Sequence, residues 1–497
     1  MNGIYQSNYA DSVWSVNSRF PEALAVIASV LGGLLIGAQS LAGLGPILAI
    51  PIAIVILMRP LYGLISVFFL VNVLFIFDRT QRIGLTLPVT GGTISATDLL
   101  YALIMACVIW RVTMLRDTYY PRNNLTIPLT LLMIWSVISL VLGISYGNEV
   151  KKSLIEWRPF LYMGIFYFTV YLVRDEETFF TVMKNFYWAY IVTFILGFMI
   201  FIQGRKAIEY YTMGQVDPGQ SALPRFTFVS ADLVLTLLFM SMGLIIFIKN
   251  GRLKNYLIAL SALLGLNLLL IQGRTQVLAL FVGIIPIMIL VPGLKRMKII
   301  ASALIATTFL AILLFGFAQT ESGAKKIIDP ILERFSGIYK TQTAVDQSLE
   351  RRRMEAEVIW PEILNRPLIG NTLGAKWSHD PKWVTVYKHD PTYIHSSWLF
   401  YLFKVGLIGT ILMLVVMYRA AILALSIVRD DRNPYFRGIA LGILATIPTY
   451  IFTAFLQPTL WHFQMAPVIG FEFAAVVIMK NLLQRQDSGY RGSYREG

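Results

Sequence analysis

The chain has 497 residues, of which 56% are hydrophobic and only 14% charged. Soluble domains carry roughly 25% charged residues, so this composition excludes an ordinary soluble globular protein and points to the membrane. The net charge of +14 does not imply nucleic acid, because the basic residues are scattered through short loops rather than clustered in one stripe. A single cysteine, Cys107, excludes a disulfide framework.

In chain order, about fourteen apolar spans can be marked, each near the ~20 residues that cross a bilayer core. They run over 22–38, 41–58, 60–77, 95–115, 126–145, 155–173, 178–203, 226–249, 254–272, 275–292, 297–318, 395–426, 434–456 and 460–483. The first three are short and crowded, so twelve to fourteen helices are expected (roughly, on length alone). Helices are expected rather than strands because an open strand cannot satisfy its backbone groups in lipid. The fold class expected is therefore all-α, polytopic and integral to the membrane. No cleavable leader is expected before the first span.

Basic residues fix the expected orientation. With the N-terminus inside, the inside loops hold Arg59, Arg116, Arg122, Arg174, Lys249, Arg252, Lys254, Lys295, Arg296, Lys298, Arg429, Arg432 and Arg437. The short outside loops hold fewer. This divides the chain into helices with short loops over 1–318, one large outside segment over 319–394, C-terminal helices over 395–483, and an inside tail over 484–497 expected to be disordered. Within the outside segment, 350–366 reads as a helix interrupted by Pro361. PLIGNTLG over 367–374 reads as a turn.

Four sets of residues could carry chemistry on the outer face. His395 ends the polar segment, and histidine moves protons near neutral pH; the plainer reading is an interfacial anchor beside Tyr393 and Trp398. Arg274, in IQGRTQVLAL, is a charge between two spans with almost no loop. It is either functional or snorkels to headgroups. Arg351, Arg352 and Arg353 could grip phosphate, or could line a solvated helix face paired with Glu350, Glu355 and Glu357. Arg225, in SALPRFTFVSADL, is a further outward candidate or an ordinary span-end charge.

Three histidines and two aspartates within 379–395 allow a zinc reading. The prolines closing His379-Asp380-Pro381 and His389-Asp390-Pro391 favour turn chemistry instead. Glycine-rich phosphate loops and GxSxG are absent, which argues against ATP-driven transport and serine-hydrolase chemistry.

Taken together, RRMEAEVIWPEILNRPLIGNTLG followed by HSSWLFYLFKVGLIG, with QGRTQVLAL upstream, resembles the O-antigen ligase and polymerase superfamily. The resemblance covers roughly 270–410. It implies a C-type membrane glycosyltransferase fold, with the 319–394 loop forming part of the active site. It implies transfer of glycan from an undecaprenyl-pyrophosphate-linked oligosaccharide donor to a glycan or lipid acceptor. The reaction would sit at the outer face of a bacterial inner membrane, without nucleotide sugar, metal or other cofactor. Partners would be the bilayer and other polysaccharide-assembly proteins, not nucleic acid. By position, His395 matches the catalytic base. Arg274 and Arg352 match the pyrophosphate-binding arginines, with Arg351 and Arg353 as neighbours and Arg225 a further outer-face arginine. Where the family commonly has Asn after the histidine, this chain has Ser396, which leaves the acceptor type open. The competing class is a polytopic transporter or flippase of a polysaccharide precursor; little midspan acidic charge beyond Asp232 and Glu472 argues against it, and Lys404 would be the residue to watch.

Overall fold

The structure, a computed structural model, describes residues 55–76, 84–86, 93–117, 119–121, 123–202, 230–249, 251–271, 274–291, 293, 347–385 and 390–493. The expected spans at 22–38 and 297–318, most of 41–58, and the first part of the outside segment lie outside these residues. The described elements begin with α1 (Pro60–Ile76), β1 (Gly84–Thr86), β2 (Thr93–Ser95), α2 (Ala96–Thr113), α3 (Thr126–Ser145), α4 (Val150–Met163), α5 (Ile165–Leu172) and α6 (Glu176–Ile202). They continue with α7 (Ala231–Phe247), α8 (Arg252–Ile271), α9 (Arg274–Leu290), α10 (Gln347–Asn365), α11 (Lys382–Thr385), α12 (Ser397–Lys404), α13 (Gly406–Val428), α14 (Pro434–Thr453) and α15 (Met465–Ser493).

The architecture is helical, with one departure. β1 and β2 pair antiparallel, Leu85 opposite Ile94 and Thr86 opposite Thr93, where β-branched residues suit a short pleated ribbon. Five described helices are long and apolar enough to cross a membrane: α3, α6, α13, α14 and α15. Their surfaces have the polarity expected of a protein dissolved in lipid. On α3, Ile127, Leu131, Ile134, Val137 and Val141 are exposed while Ser136 and Ser139 are buried. On α13, Leu407, Ile411, Leu414, Tyr418 and Ile422 are exposed. Such long exposed apolar stripes are covered by acyl chains, and the polar groups turn inward to find partners. The chain is a multi-pass membrane protein.

Lipid offers helices little hydrophobic reason to associate, so close packing must hold them. α7 and α14 meet backbone to backbone. A Cβ on Gly438 would lie 2.7 Å from the Leu244 Cα, and one on Gly442 would collide with Met240. The four-residue spacing of Gly438 and Gly442 puts both on the contact face.

Three expectations change. The span at 395–426 is not one helix; it breaks at Val405 into α12 and α13. The span at 155–173 likewise falls into α4 and α5 around Gly164. Pro361 sits inside α10 without interrupting it. Beyond these, the C-terminal residues expected to be disordered from Gln484 continue α15 as far as Ser493.

Candidate active site

The break between α12 and α13 organises the region around His395. A broken helix leaves carbonyl groups without intrahelical partners, and each must be satisfied. Here three residues from two distant segments, α3 and the turn after α10, do so. Asn371 N–H donates to the Phe403 carbonyl at 2.5 Å, the Ser139 hydroxyl to the Lys404 carbonyl at 2.9 Å, and the Trp135 indole to the Val405 carbonyl at 2.8 Å. Going the other way, Leu407 N–H donates to the Pro367 carbonyl at 2.8 Å. The PLIGNTLG turn is therefore docked into the break. Gly406 makes this possible. Its φ is +67°, and a Cβ there would collide with the Leu368 carbonyl and lie 2.6 Å from Gly370 N.

Below the turn lies a buried ion pair. Lys404 Nζ donates to Glu156 Oε1 and to the Ala375 carbonyl, both at 2.6 Å, while Glu156 Oε2 accepts from Gly374 N–H at 2.6 Å. Both side chains are almost wholly buried. Lys404 is thus tied to α4 and to the turn.

This anchoring sets α10, which runs into the turn, against the start of α12. The buried face of α10 carries Glu355, Ile359 and Ile363, with Arg352 half-buried on the same face. Glu355 is 1% exposed. Its Oε1 accepts from the backbone N–H of His395 at 2.8 Å, and its Oε2 lies 2.7 Å from the ring Nδ1 of His395. The His395 side chain keeps 30% of its surface exposed. Tyr393 stands edge-on to the imidazole, with centroids 5.1 Å apart and planes at 88°. Although 36% of Tyr393 is exposed, burial pushes its phenol up to about 12; the Glu355 charge adds to this and Arg352 opposes it. Tyr393 therefore stays a neutral hydroxyl across the physiological range, and His395 is the group beside it suited to accept a proton.

The arginine triplet divides by helical periodicity. Arg353 points to solvent and pairs with Glu357 at 2.9 Å, both largely exposed. Arg352 lies inward near Tyr393. The side chain of Arg351 lies outside the described residues. Glu355, expected as an arginine partner, faces His395.

Arg274 opens α9, and its side chain lies outside the described residues. Two residues on, Gln276 donates to the Gln457 amide at 2.8 Å. The Gln457 carbonyl accepts from the backbone and hydroxyl of Ser397, at 3.1 and 2.8 Å. This chain of bonds brings the start of α9 to the same end of the bundle as His395. The start of α7 joins it, since Thr459 donates to Asp232 at 2.8 Å and Leu460 N–H donates to the Ser397 hydroxyl at 3.1 Å. Arg225 precedes α7 and lies outside the described residues.

Ser396 has a local explanation. Its hydroxyl accepts from Leu399 N–H at 3.3 Å and donates to the Ala454 carbonyl at 3.1 Å. It is the N-cap of α12, a position that Ser and Asn fill about equally well. The residue is 9% exposed, so the departure from Asn is accounted for by helix capping.

The histidine-aspartate triplets are also structural where they are described. Asp380 Oδ1 accepts from Lys382 N–H at 2.9 Å and starts α11, while Asp390 Oδ1 accepts from Thr392 N–H at 3.0 Å. Among the described residues, no three His, Cys, Asp or Glu side chains gather as a metal-binding group; His389 lies outside them.

Residues 259–414 match the family model for O-antigen ligase. This segment belongs to the O-antigen ligase and polymerase superfamily. No curated protein matches the chain. The O-antigen ligase segment contains Arg274, the arginine triplet, the docked turn, His395 and the helix break, and Arg225 lies before it. The match supports a membrane glycosyltransferase of the O-antigen ligase type. Glu355, inside the same segment, was not legible as a site residue. Its only sequence signal is the three-residue spacing that puts it on one helix face with Arg352.

Proposed function

We propose that the protein transfers or polymerises glycan units from an undecaprenyl-pyrophosphate carrier, at the outer face of a bacterial inner membrane, with His395 as general base and Arg274 and Arg352 binding the pyrophosphate. Arg351, Arg353 and Arg225 are secondary candidates for that contact. The observation that carries this reading is the partly exposed imidazole of His395 against Tyr393, which Arg352 also neighbours, at the end of the bundle where α9 begins.

The acceptor is a sugar hydroxyl, a poor nucleophile until its proton is removed. His395 takes that proton as the oxygen attacks the anomeric carbon, an assistance worth typically ~10²–10⁴-fold. The new carbon–oxygen bond replaces the bond to the pyrophosphate, whose departing oxygen takes the electron pair. Two arginines offset the charge that develops there by charge-assisted, bidentate hydrogen bonds. A single displacement with one base inverts the anomeric centre. Lys404, held in its buried ion pair, gives no support to a conduction path.

The test is a deletion strain complemented with the wild type, His395→Ala or Arg274→Ala, with surface polysaccharide resolved by chain length. Loss of long chains with single repeats retained indicates a polymerase. Full-length but unattached polymer indicates a ligase. Wild-type polysaccharide in both variants refutes the proposal.

A further inference from the structure

We infer that Glu355 is the positioning residue that fixes the tautomer of His395, a role that rests on His395 acting as the base. A carboxylate only accepts hydrogen bonds. With Glu355 Oε2 2.7 Å from Nδ1, the ring proton belongs on Nδ1, and the basic lone pair is on Nε2. The second oxygen holds the backbone N–H of the same residue at 2.8 Å. Main chain and ring are thus gripped by one buried group, which fixes the ring's orientation as well as its proton. The Tyr393 ring bounds it on one side.

The grip is not needed to hold α10 in place. That helix is already packed through Ile359 and Ile363 and tethered at its end by the bonds of the docked turn to α3, the α3–α4 loop, α4 and α12. What Glu355 adds is acceptor-only chemistry opposite Nδ1.

This makes Glu355→Gln the decisive variant. The backbone N–H of His395 still needs an acceptor, so the Gln oxygen turns to it. The Gln amide NH₂ then faces Nδ1 and donates to it. Nδ1 becomes an acceptor, the proton moves to Nε2, and the base is lost although volume and both hydrogen bonds are kept. The same logic makes Asp-to-Asn changes severe in serine-protease triads.

The experiment uses the full chain in nanodiscs, with histidine ring nitrogens labelled with ¹⁵N, at a pH where the ring is neutral. The chain has four histidines, and His395→Ala identifies the relevant signal. The wild type should show His395 protonated on Nδ1, and Glu355→Gln should show it protonated on Nε2. In the complemented strain, Glu355→Gln should cut long-chain polysaccharide by roughly tenfold or more, with Glu355→Asp recovering part of it. A wild-type ring protonated on Nε2, or a Glu355→Gln variant with unchanged tautomer or normal chains, overturns the inference. The wild-type spectrum decides the matter even where the variant does not fold. Failure of the base assignment looks different: His395→Ala would then make normal polysaccharide while the tautomer still followed residue 355.

Discussion

The two ends of α12 are each held by a buried glutamate from elsewhere in the chain, and the two pairs have opposite characters. At its start, His395 meets Glu355 while leaving 30% of its side chain exposed. At its end, Lys404 meets Glu156 with no exposure at all. The first pair has one partner that can reach a substrate. The second is sealed, and its remaining hydrogen-bonding capacity is spent on Gly374 and Ala375. Both basic residues attract notice in an apolar sequence, and solvent access is what separates chemistry from architecture.

The sharpest way to break this comparison is to remove each basic side chain in turn. His395→Ala should eliminate long-chain product, a loss of about 10²–10⁴-fold, while the purified protein stays folded and monodisperse, with only a modest fall in melting temperature because Glu355 keeps the backbone N–H of residue 395 and water can reach the vacated site. Lys404→Met should do the reverse. Stripping one partner from a buried pair costs about 3–5 kcal/mol, so the protein should be lost from the membrane fraction. Glu156→Gln with Lys404→Met removes both charges, keeps an acceptor for Gly374 N–H, and should restore folded protein. Stable, active Lys404→Met would show the two pairs to be less different than their burial implies.

A second prediction concerns how the two pairs are kept in register. Gly406→Ala forces a side chain into left-handed backbone, at roughly 1–2 kcal/mol, and drives it against the backbone of Leu368 and Gly370. Neither neighbour can rotate away, so the docked turn must lift. Melting temperature and polysaccharide length should fall together. Gly265→Ala in α8 is the control: nothing lies within 4 Å of its added Cβ, and it should be neutral or slightly stabilising.

Much of the fold around this site could be read from the chain. Hydropathy marks α3 over Thr126–Ser145, and propensity marks α10 and the turn that follows it. The helix breaks could not be read, because hydropathy runs on through 395–426 without a dip. The break at Val405 is made by bonds from Trp135, Ser139 and Asn371, none of them local in sequence. For the same reason Glu355 was visible as an acid on a helix face, but its partner forty residues on was not. Lys404 stood out as a charge in an apolar span, and only packing shows that Glu156 neutralises it. The capping role of Ser396 shows only once its bond to Leu399 N–H is formed.

The arginine triplet offers a finer contrast on one helix. Arg352→Ala should cost about 10²-fold in long-chain product, the scale of losing one donor to a developing anion. Arg353→Ala removes only a solvent-exposed pair with Glu357 and should leave chain length within about twofold of wild type. Equal losses from both would mean that helix face does not decide which arginine meets the donor.

The smallest expected effect lies at the rim, where Lys152 pairs with Asp390 beside the Trp377–Tyr393 loop. Partial burial acts to raise the Asp390 carboxyl, but the Lys152 ammonium and the Thr392 N–H and hydroxyl outweigh it and hold it below the usual aspartate range. A carboxyl depressed in the folded state contributes stability that is complete above its unfolded value. That contribution is lost as pH falls through the folded value. The pair should therefore hold at neutral pH and loosen only under acid conditions, below the ordinary aspartate range. Both partners are partly exposed, so salt should weaken it as well. Asp390→Asn keeps an acceptor for Thr392 N–H and removes only the ion pair. It should speed amide hydrogen exchange over Trp377–Tyr393 at neutral pH, abolish the acid and salt dependence of that exchange, and lower polysaccharide output by less than about threefold. If exchange in the wild type ignores both acid and salt, the loop is held by its turns and by the Trp377 indole bond to Tyr393, and the ion pair contributes nothing to the site.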